Sequence, residues 1–360
     1  MNEHKQSIYM NWAKTRSFAR FSLATSGVMH YPLKDLGVDI NDLEISGPTY
    51  YGYDPLQEAL GEKCGVKKEC VASSIGTSMA NHLVLAALLE PGDEILVEEP
   101  TYEPILAVAK YLRANINRFP RNFSEGFQIE PERLAKLVTS KTKLIVVTNF
   151  HNPSGVFTDS ATLKRIGEIA QSVGARVLVD EVYLECLFPK SGAPISSFHL
   201  GNHFIVTSSL TKAYGLSGLR CGWILAEPEL IQRMIRINDL FSATPPHTSE
   251  LLSIIALRKL SQIAERSKAL LKTNRKILEQ FFEEQQANLE VALPPHGTIA
   301  FPRLRKQDPE KFFSELRDKF ETLVVPGKFF EMPQHFRIGI GGPTEILVEG
   351  LARLGKALSV

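Results

Sequence analysis

At 360 residues the chain is long enough for two hydrophobic cores, and a composition of 44% hydrophobic and 22% charged residues excludes a disordered polypeptide. A formal net charge of +1 gives no bulk attraction for nucleic acid or an anionic membrane, so small molecules are the expected partners. No apolar run reaches membrane-spanning length, and the opening MNEHKQSIYMNWAKTRSFARF lacks the apolar centre of a secretory signal, so a cytoplasmic location is expected.

Helical and strand-like patterns alternate from about Tyr53 to Leu240, which predicts an α/β fold with a mostly parallel sheet covered by helices. TSMANHLVLAALLE reads as a helix stopped by Pro91-Gly92-Asp93, and EILVEEP as a strand. YEPILAVAKYLR is a predicted helix, KLIVVTNF a strand, DSATLKRIGEIAQSVG a helix, and ARVLVDEVY and HFIVTSSL two further strands. After Pro245-Pro246, helical periodicity runs from His247 to about Gln285, too long for an ordinary globular helix; one bent helix or two are expected. The remainder mixes strands (TIAFPRL, TLVVPG, FRIGIGG) with helices (DPEKFFSELRDKF, PTEILVEGLARLGKAL), the pattern of a smaller α+β domain that the N-terminal arm joins. The expected organisation is therefore an arm and part of the small domain over 1–45, a large domain over 46–246, a connecting helix over 247–285 and the rest of the small domain over 286–360.

Chemistry gathers at the strand ends, where open α/β sheets hold ligands. Gly76, Thr77 and Ser78 precede a helix whose free N–H groups suit a phosphate, although simple capping explains one such hydroxyl equally well. Asn152 stands in an Asn-Pro turn with an amide to offer. Asp180 ends an apolar strand and needs a cationic or hydrogen-bonding partner there, a helix cap or local ion pair being the alternative to a ligand; Tyr183 follows with a phenol for the same ligand. Lys212 follows HFIVTSSL, and Arg220 comes shortly after it. Together these groups suit a phosphorylated aromatic aldehyde. Cys64, Cys70, Cys186 and Cys221 form neither a disulfide framework nor a CxxC pair, and the histidines form no metal-ligand pattern, so reduced thiols and no metal site are expected.

The segments PTYYGYDPLQEAL, SIGTSMA, PGDEILVEEPTY, NFHNPSG, DEVY, SSLTKAYGLSGLRCGW, VVPGKFF and FRIGIG follow one another as in fold-type I pyridoxal-phosphate enzymes. From about Ser26 to Gly342 the chain resembles the class I/II aminotransferases. The resemblance implies pyridoxal phosphate in the large domain, with Lys212 forming an internal aldimine with the cofactor aldehyde. Ser209, Arg220, Gly76, Thr77 and Ser78 would then hold the phosphate, Asp180 the pyridine nitrogen, and Asn152 and Tyr183 the ring's phenolic oxygen. Tyr102 would stack on the ring, Arg337 grip the substrate α-carboxylate, a task suited to a guanidinium, and Gly27 lie in the loop that closes over it. Tyr51 would reach the phosphate of a neighbouring subunit, implying a homodimer with shared sites. The implied activity moves an amino group between an L-amino acid and a 2-oxo acid.

Carbon–sulfur lyases share this equipment and form the enzymatic alternative; a non-catalytic cofactor-binding regulator is the other, although too few residues precede Leu23 for a DNA-binding head. The cationic surroundings of Lys212 should lower its pKa enough for proton transfer, and Gly215 and Gly218 are expected to let backbone pass close to the cofactor. In RINDLFSATPPHT, Asp239 stands where related enzymes present an arginine to dicarboxylic substrates, which suggests neutral or basic donors; a solvated helix residue is the competing explanation.

Overall fold

The structure, a computed structural model, describes residues 5–188 and 194–359. Its centre is a seven-stranded sheet built from β1 (Val71–Ile75), β2 (Glu94–Glu99), β3 (Asn115–Pro120), β4 (Thr142–Thr148), β5 (Arg176–Asp180), β6 (Phe204–Ser209) and β7 (Cys221–Leu225). The spatial order is β1-β7-β6-β5-β4-β2-β3. All neighbours run parallel except β7, which is antiparallel to both β1 and β6.

Near-continuous apolar runs form these strands because both sheet faces are covered. Successive side chains point to opposite faces: Ile95, Val97, Leu144, Val146 and Leu178 enter one core, and Leu96, Ile145, Val147, Val177 and Val179 the other. Helix Gly76–Leu88 packs Leu83 and Val84 into the first core, and helix Ser160–Ser172 packs Leu163 and Ile166 into the second.

Two helices, His247–Arg258 and Leu260–Glu284, follow the sheet. They are separated at Lys259, whose backbone leaves the helical region and whose ammonium donates to the Leu36 carbonyl at 2.6 Å. The C-terminal part surrounds a separate core that includes Leu278, Phe281, Phe336, Ile338 and Leu351. The arm joins it, because Phe21–Ser22 pairs in parallel with Thr322–Leu323 and Leu23 enters that core.

Several local expectations change. TIAFPRL is interrupted at Phe301-Pro302, leaving Ile299–Ala300 and Arg303–Leu304, since proline has no N–H for a ladder. TLVVPG splits at Val324 into Thr322–Leu323, which pairs with Phe21–Ser22, and Val325–Pro326, which pairs with Phe336–Arg337. Strand β3 and an N-terminal helix α1 (Ile8–Thr15), capped by the Ser7 hydroxyl, carry weaker sequence patterns and were not among the predicted elements. Among the described residues no helix is long and apolar enough to cross a membrane, and all four cysteines are free thiols.

Candidate active site

The parallel register aligns Thr148, Asp180 and Thr207 across the ends of β4, β5 and β6. Period-two alternation therefore turns these three side chains to the same face. Beyond them opens a cavity of about 650 Å³, whose wall includes Thr77, Ser78, Tyr102, Asn152, Asp180, Tyr183, Ser209, Lys212 and Arg220. Nine predicted residues from strand ends and loops far apart in the chain thus meet in one place.

Asp180 is buried, and its carboxylate accepts from Asn81 Nδ2 at 2.8 Å and the Val182 N–H at 3.1 Å. Burial pushes its pKa up to about 6, against those hydrogen bonds and the charge of Lys212. Asn81 is held in turn by the Thr207 hydroxyl, which donates to its Oδ1 at 2.6 Å. The Lys212 ammonium donates to Ser26 Oγ at 2.9 Å and lies 5.8 Å from the Tyr183 ring centroid. Its pKa is lowered chiefly by burial, with Arg337 and Arg220 adding repulsion, so the cationic surroundings expected from the sequence are the lesser cause. Burial raises the Tyr183 and Tyr102 phenols, which stay protonated and can donate.

At the start of helix Gly76–Leu88 the geometry suits an anion. Gly76 opens the helix with φ +72, and a Cβ there would stand 2.3 Å from the Arg220 guanidinium, so glycine is what lets the two meet. Arg220 itself adopts φ 51 and remains exposed to the cavity. Thr77 Oγ1 is buried in this wall without a hydrogen-bond partner, an acceptor-seeking hydroxyl beside helix N–H groups and a guanidinium.

Arg337 is buried beside the cavity, and among the described residues no carboxylate pairs with it. Its guanidinium donates to Asn152 Oδ1 at 2.8 Å, Tyr9 Oη at 2.9 Å and the Ala24 carbonyl at 3.3 Å, and its Nε has no partner. A buried cation held only by neutral groups is costly, and a ligand carboxylate is the natural relief.

The sequence model for aminotransferase class I and II matches residues 22–354. The chain belongs to this family. It is similar to the capreomycidine synthase of Streptomyces vinaceus, 25% identical over 97% of this chain and 92% of that one. It is also similar to an aspartate aminotransferase of Pyrococcus horikoshii, 26% identical over 87% and 84%. A PLP-dependent aminotransferase from Streptococcus suis superimposes with a TM-score of 0.91 at 27% identity, covering 100% of this chain and 98% of that one.

Within this aminotransferase, two groups of expected residues lie elsewhere. Tyr51 is 58% exposed, outside the cavity, and its hydroxyl donates to Asp239 Oδ2 at 3.0 Å, so neither residue meets the site of its own chain. Gly215 does not face the cavity: it lies under the arm, where a Cβ would meet the Met29 carbonyl at 2.2 Å, and Gly218 is open to solvent. Gly27 rests on the Lys212 side chain, with a hypothetical Cβ 3.2 Å from Cδ, so the arm crosses over the lysine. The sequence reading missed Tyr9, Ser26, Asn81 and Thr207. Asn81 offered the one usable signal, an amide one turn after Thr77 on the buried face of helix Gly76–Leu88.

Proposed function

We propose that this protein is a pyridoxal-phosphate-dependent aminotransferase that moves an amino group between an L-amino acid and a 2-oxo acid. The observation that carries this reading is the convergence of Lys212, Asp180, Asn152, Tyr183 and the Gly76–Ser78 and Arg220 cradle on one cavity, with the uncompensated Arg337 beside it. The residues fit the cofactor: an anion cradle whose Thr77 hydroxyl has no partner among the described residues shares the cavity wall with a buried carboxylate in need of a cation.

When bound, pyridoxal phosphate supplies an electron sink for charge developing at the donor α-carbon. Lys212 would be its covalent anchor, and Ser209, Gly76, Thr77, Ser78 and Arg220 would hold the phosphate. Asp180, fixed by Asn81, supplies the negative charge that keeps the ring nitrogen protonated. Asn152 and Tyr183 donate to the ring oxygen, and Tyr102 covers the ring. Arg337 takes the donor carboxylate, Gly27 and the arm closing above it. Once free, Lys212 Nζ removes the proton from the α-carbon; its lowered pKa leaves more of the amine unprotonated.

We also infer a homodimer. Ile40, Ile45, Tyr50, Tyr51 and Leu240 are exposed apolar side chains, and a partner covering them would bring Tyr51 and Asp239 toward the neighbouring site. Asp239 there would favour neutral or basic donors over dicarboxylic ones.

Borohydride reduction of the cofactor-loaded protein followed by peptide mapping tests the reading. Label on Lys212 is expected, together with a spectral change on adding single amino acids that needs a 2-oxo acid to reverse. Label on another lysine, or no cofactor uptake, rejects it, and ammonia release without any 2-oxo acid would indicate a lyase.

A further inference from the structure

Behind the site lies a buried polar group, Glu98, Arg121 and Thr148, that none of the roles above uses. Glu98, in β2, is fully buried, and so is the side chain of Arg121, just beyond β3. They pair at 2.9 Å, Arg121 Nη1 donating to Glu98 Oε2. Arg121 is fixed on its other edges, Nε donating to the Phe127 carbonyl at 2.6 Å and Nη2 to Thr158 Oγ1 at 3.3 Å. The second carboxylate oxygen, Oε1, accepts both from the Thr148 N–H at 2.8 Å and from the Thr148 hydroxyl. That hydroxyl has one proton, and donating it to Glu98 aims its lone pairs elsewhere. They receive the Asn152 N–H at 3.0 Å. Asn152 is the residue whose Oδ1 is gripped by Arg337. An unbroken series, Arg121 to Glu98 to Thr148 to Asn152 to Arg337, therefore links the ends of three strands to the groups that would touch ring oxygen and substrate carboxylate.

A pair of opposite charges in a dry interior costs desolvation and is weak support for stability alone. Valine and leucine fill the neighbouring positions of the same strands without it. Here the carboxylate has a further consequence. Because it accepts only, it dictates which way the Thr148 hydroxyl points, and hence makes that oxygen an obligatory acceptor for the Asn152 backbone.

We propose that Glu98, Arg121 and Thr148 are positioning residues that hold Asn152 in the orientation needed to serve ring oxygen and Arg337 together. This rests on the function proposed above. With its Oδ1 committed to Arg337, Asn152 has its amide NH₂ left for the ring oxygen, and the backbone bond to Thr148 keeps both ends in register.

Thr148→Val removes the hydroxyl at nearly constant volume. Two readings of the loaded protein are followed: the pH midpoint of its visible cofactor absorbance, and the dissociation constant of a non-reactive carboxylate competitor. A donated hydrogen bond favours the more anionic ring oxygen, so loosening Asn152 should raise the midpoint by about 0.5 unit or more. Competitor binding should weaken about tenfold, the effect of one misaligned charge-assisted hydrogen bond. Thr148→Ser should restore both, and Glu98→Gln, with Arg121 left unpaired, should reproduce them in part. A lower Tm with midpoint and competitor affinity unchanged in Thr148→Val and Glu98→Gln would mean the network only stabilises the fold, and would overturn the proposal. If Thr148→Val does not fold, Glu98→Gln decides by the same two readings. A wild-type protein that binds no cofactor would instead overturn the functional reading itself.

Discussion

Lys212 owes its position to contacts that the sequence motif around it does not name. Its ammonium rests on Ser26, and the Ser26 carbonyl is held by Thr298, whose hydroxyl donates at 2.7 Å from a fully buried position. Lys212→Arg keeps a cation but has no primary amine for a covalent bond, so activity should fall at least about a thousandfold. Uptake of cofactor without a reducible link to the protein, read by borohydride and mass mapping, checks it. For Asp180 the sign of the pH effect follows from its raised pKa. Between the ordinary carboxylate value and about 6, the folded protein freed of cofactor holds a proton that the unfolded chain has released. That contribution is therefore lost as pH rises through this window. Asp180→Asn, freed of cofactor, should gain stability relative to wild type at pH 8, by up to about 3 kcal/mol, and lose the advantage below about pH 4. Melting temperatures across pH measure this, and the same variant should bind cofactor more weakly.

At the scale of elements, the sharpest demand falls where strand β1 turns into its helix. Gly76 combines a left-handed backbone with contact against Arg220, so Gly76→Ala both strains the turn and drives the guanidinium away. The expected result is cofactor affinity reduced by about a hundredfold with the far-ultraviolet spectrum retained; equilibrium dialysis of the variant against wild type decides it. Alternation of apolar and polar stretches was enough to read β2, β4, β5 and β6, because a strand buried on both faces has a composition of its own, whereas the half-exposed β3 carries no such pattern. The helix α1 was not legible in the same way. Its sequence, IYMNWAKT, mixes polar and apolar residues without a long period, and it is held by packing of Tyr9 against Tyr102, Phe329 and Phe330, residues distant in the chain. Tyr9 then becomes a partner of Arg337, a role no local pattern announces.

Across the whole molecule, Tyr51 and Asp239 lie outside the cavity, beside exposed Tyr50 and Leu240. Leu240→Glu should disrupt the inferred dimer and lower activity in parallel as the protein is diluted, which sedimentation alongside a rate assay will follow. Tyr51→Phe should weaken cofactor binding while leaving assembly intact. A donor panel tests Asp239, with alanine, leucine, arginine or lysine expected ahead of aspartate. Faster turnover of aspartate would remove the proposed preference.

The sequence alone determined the α/β class and named most of the polar side chains that line the cavity, because strand periodicity and short motifs are local properties carried by contiguous residues. The tertiary structure decided what supports those side chains. Asn81 beneath Asp180, Ser26 against Lys212, Tyr9 on Arg337 and Thr148 behind Asn152 are separated by 99, 186, 328 and 4 positions, respectively. Three of these pairings arise only when strand order and the crossing arm bring distant segments together. The fourth is near in sequence, yet its meaning depends on Glu98, 50 residues from Thr148 and adjacent only because β2 and β4 pair in the sheet.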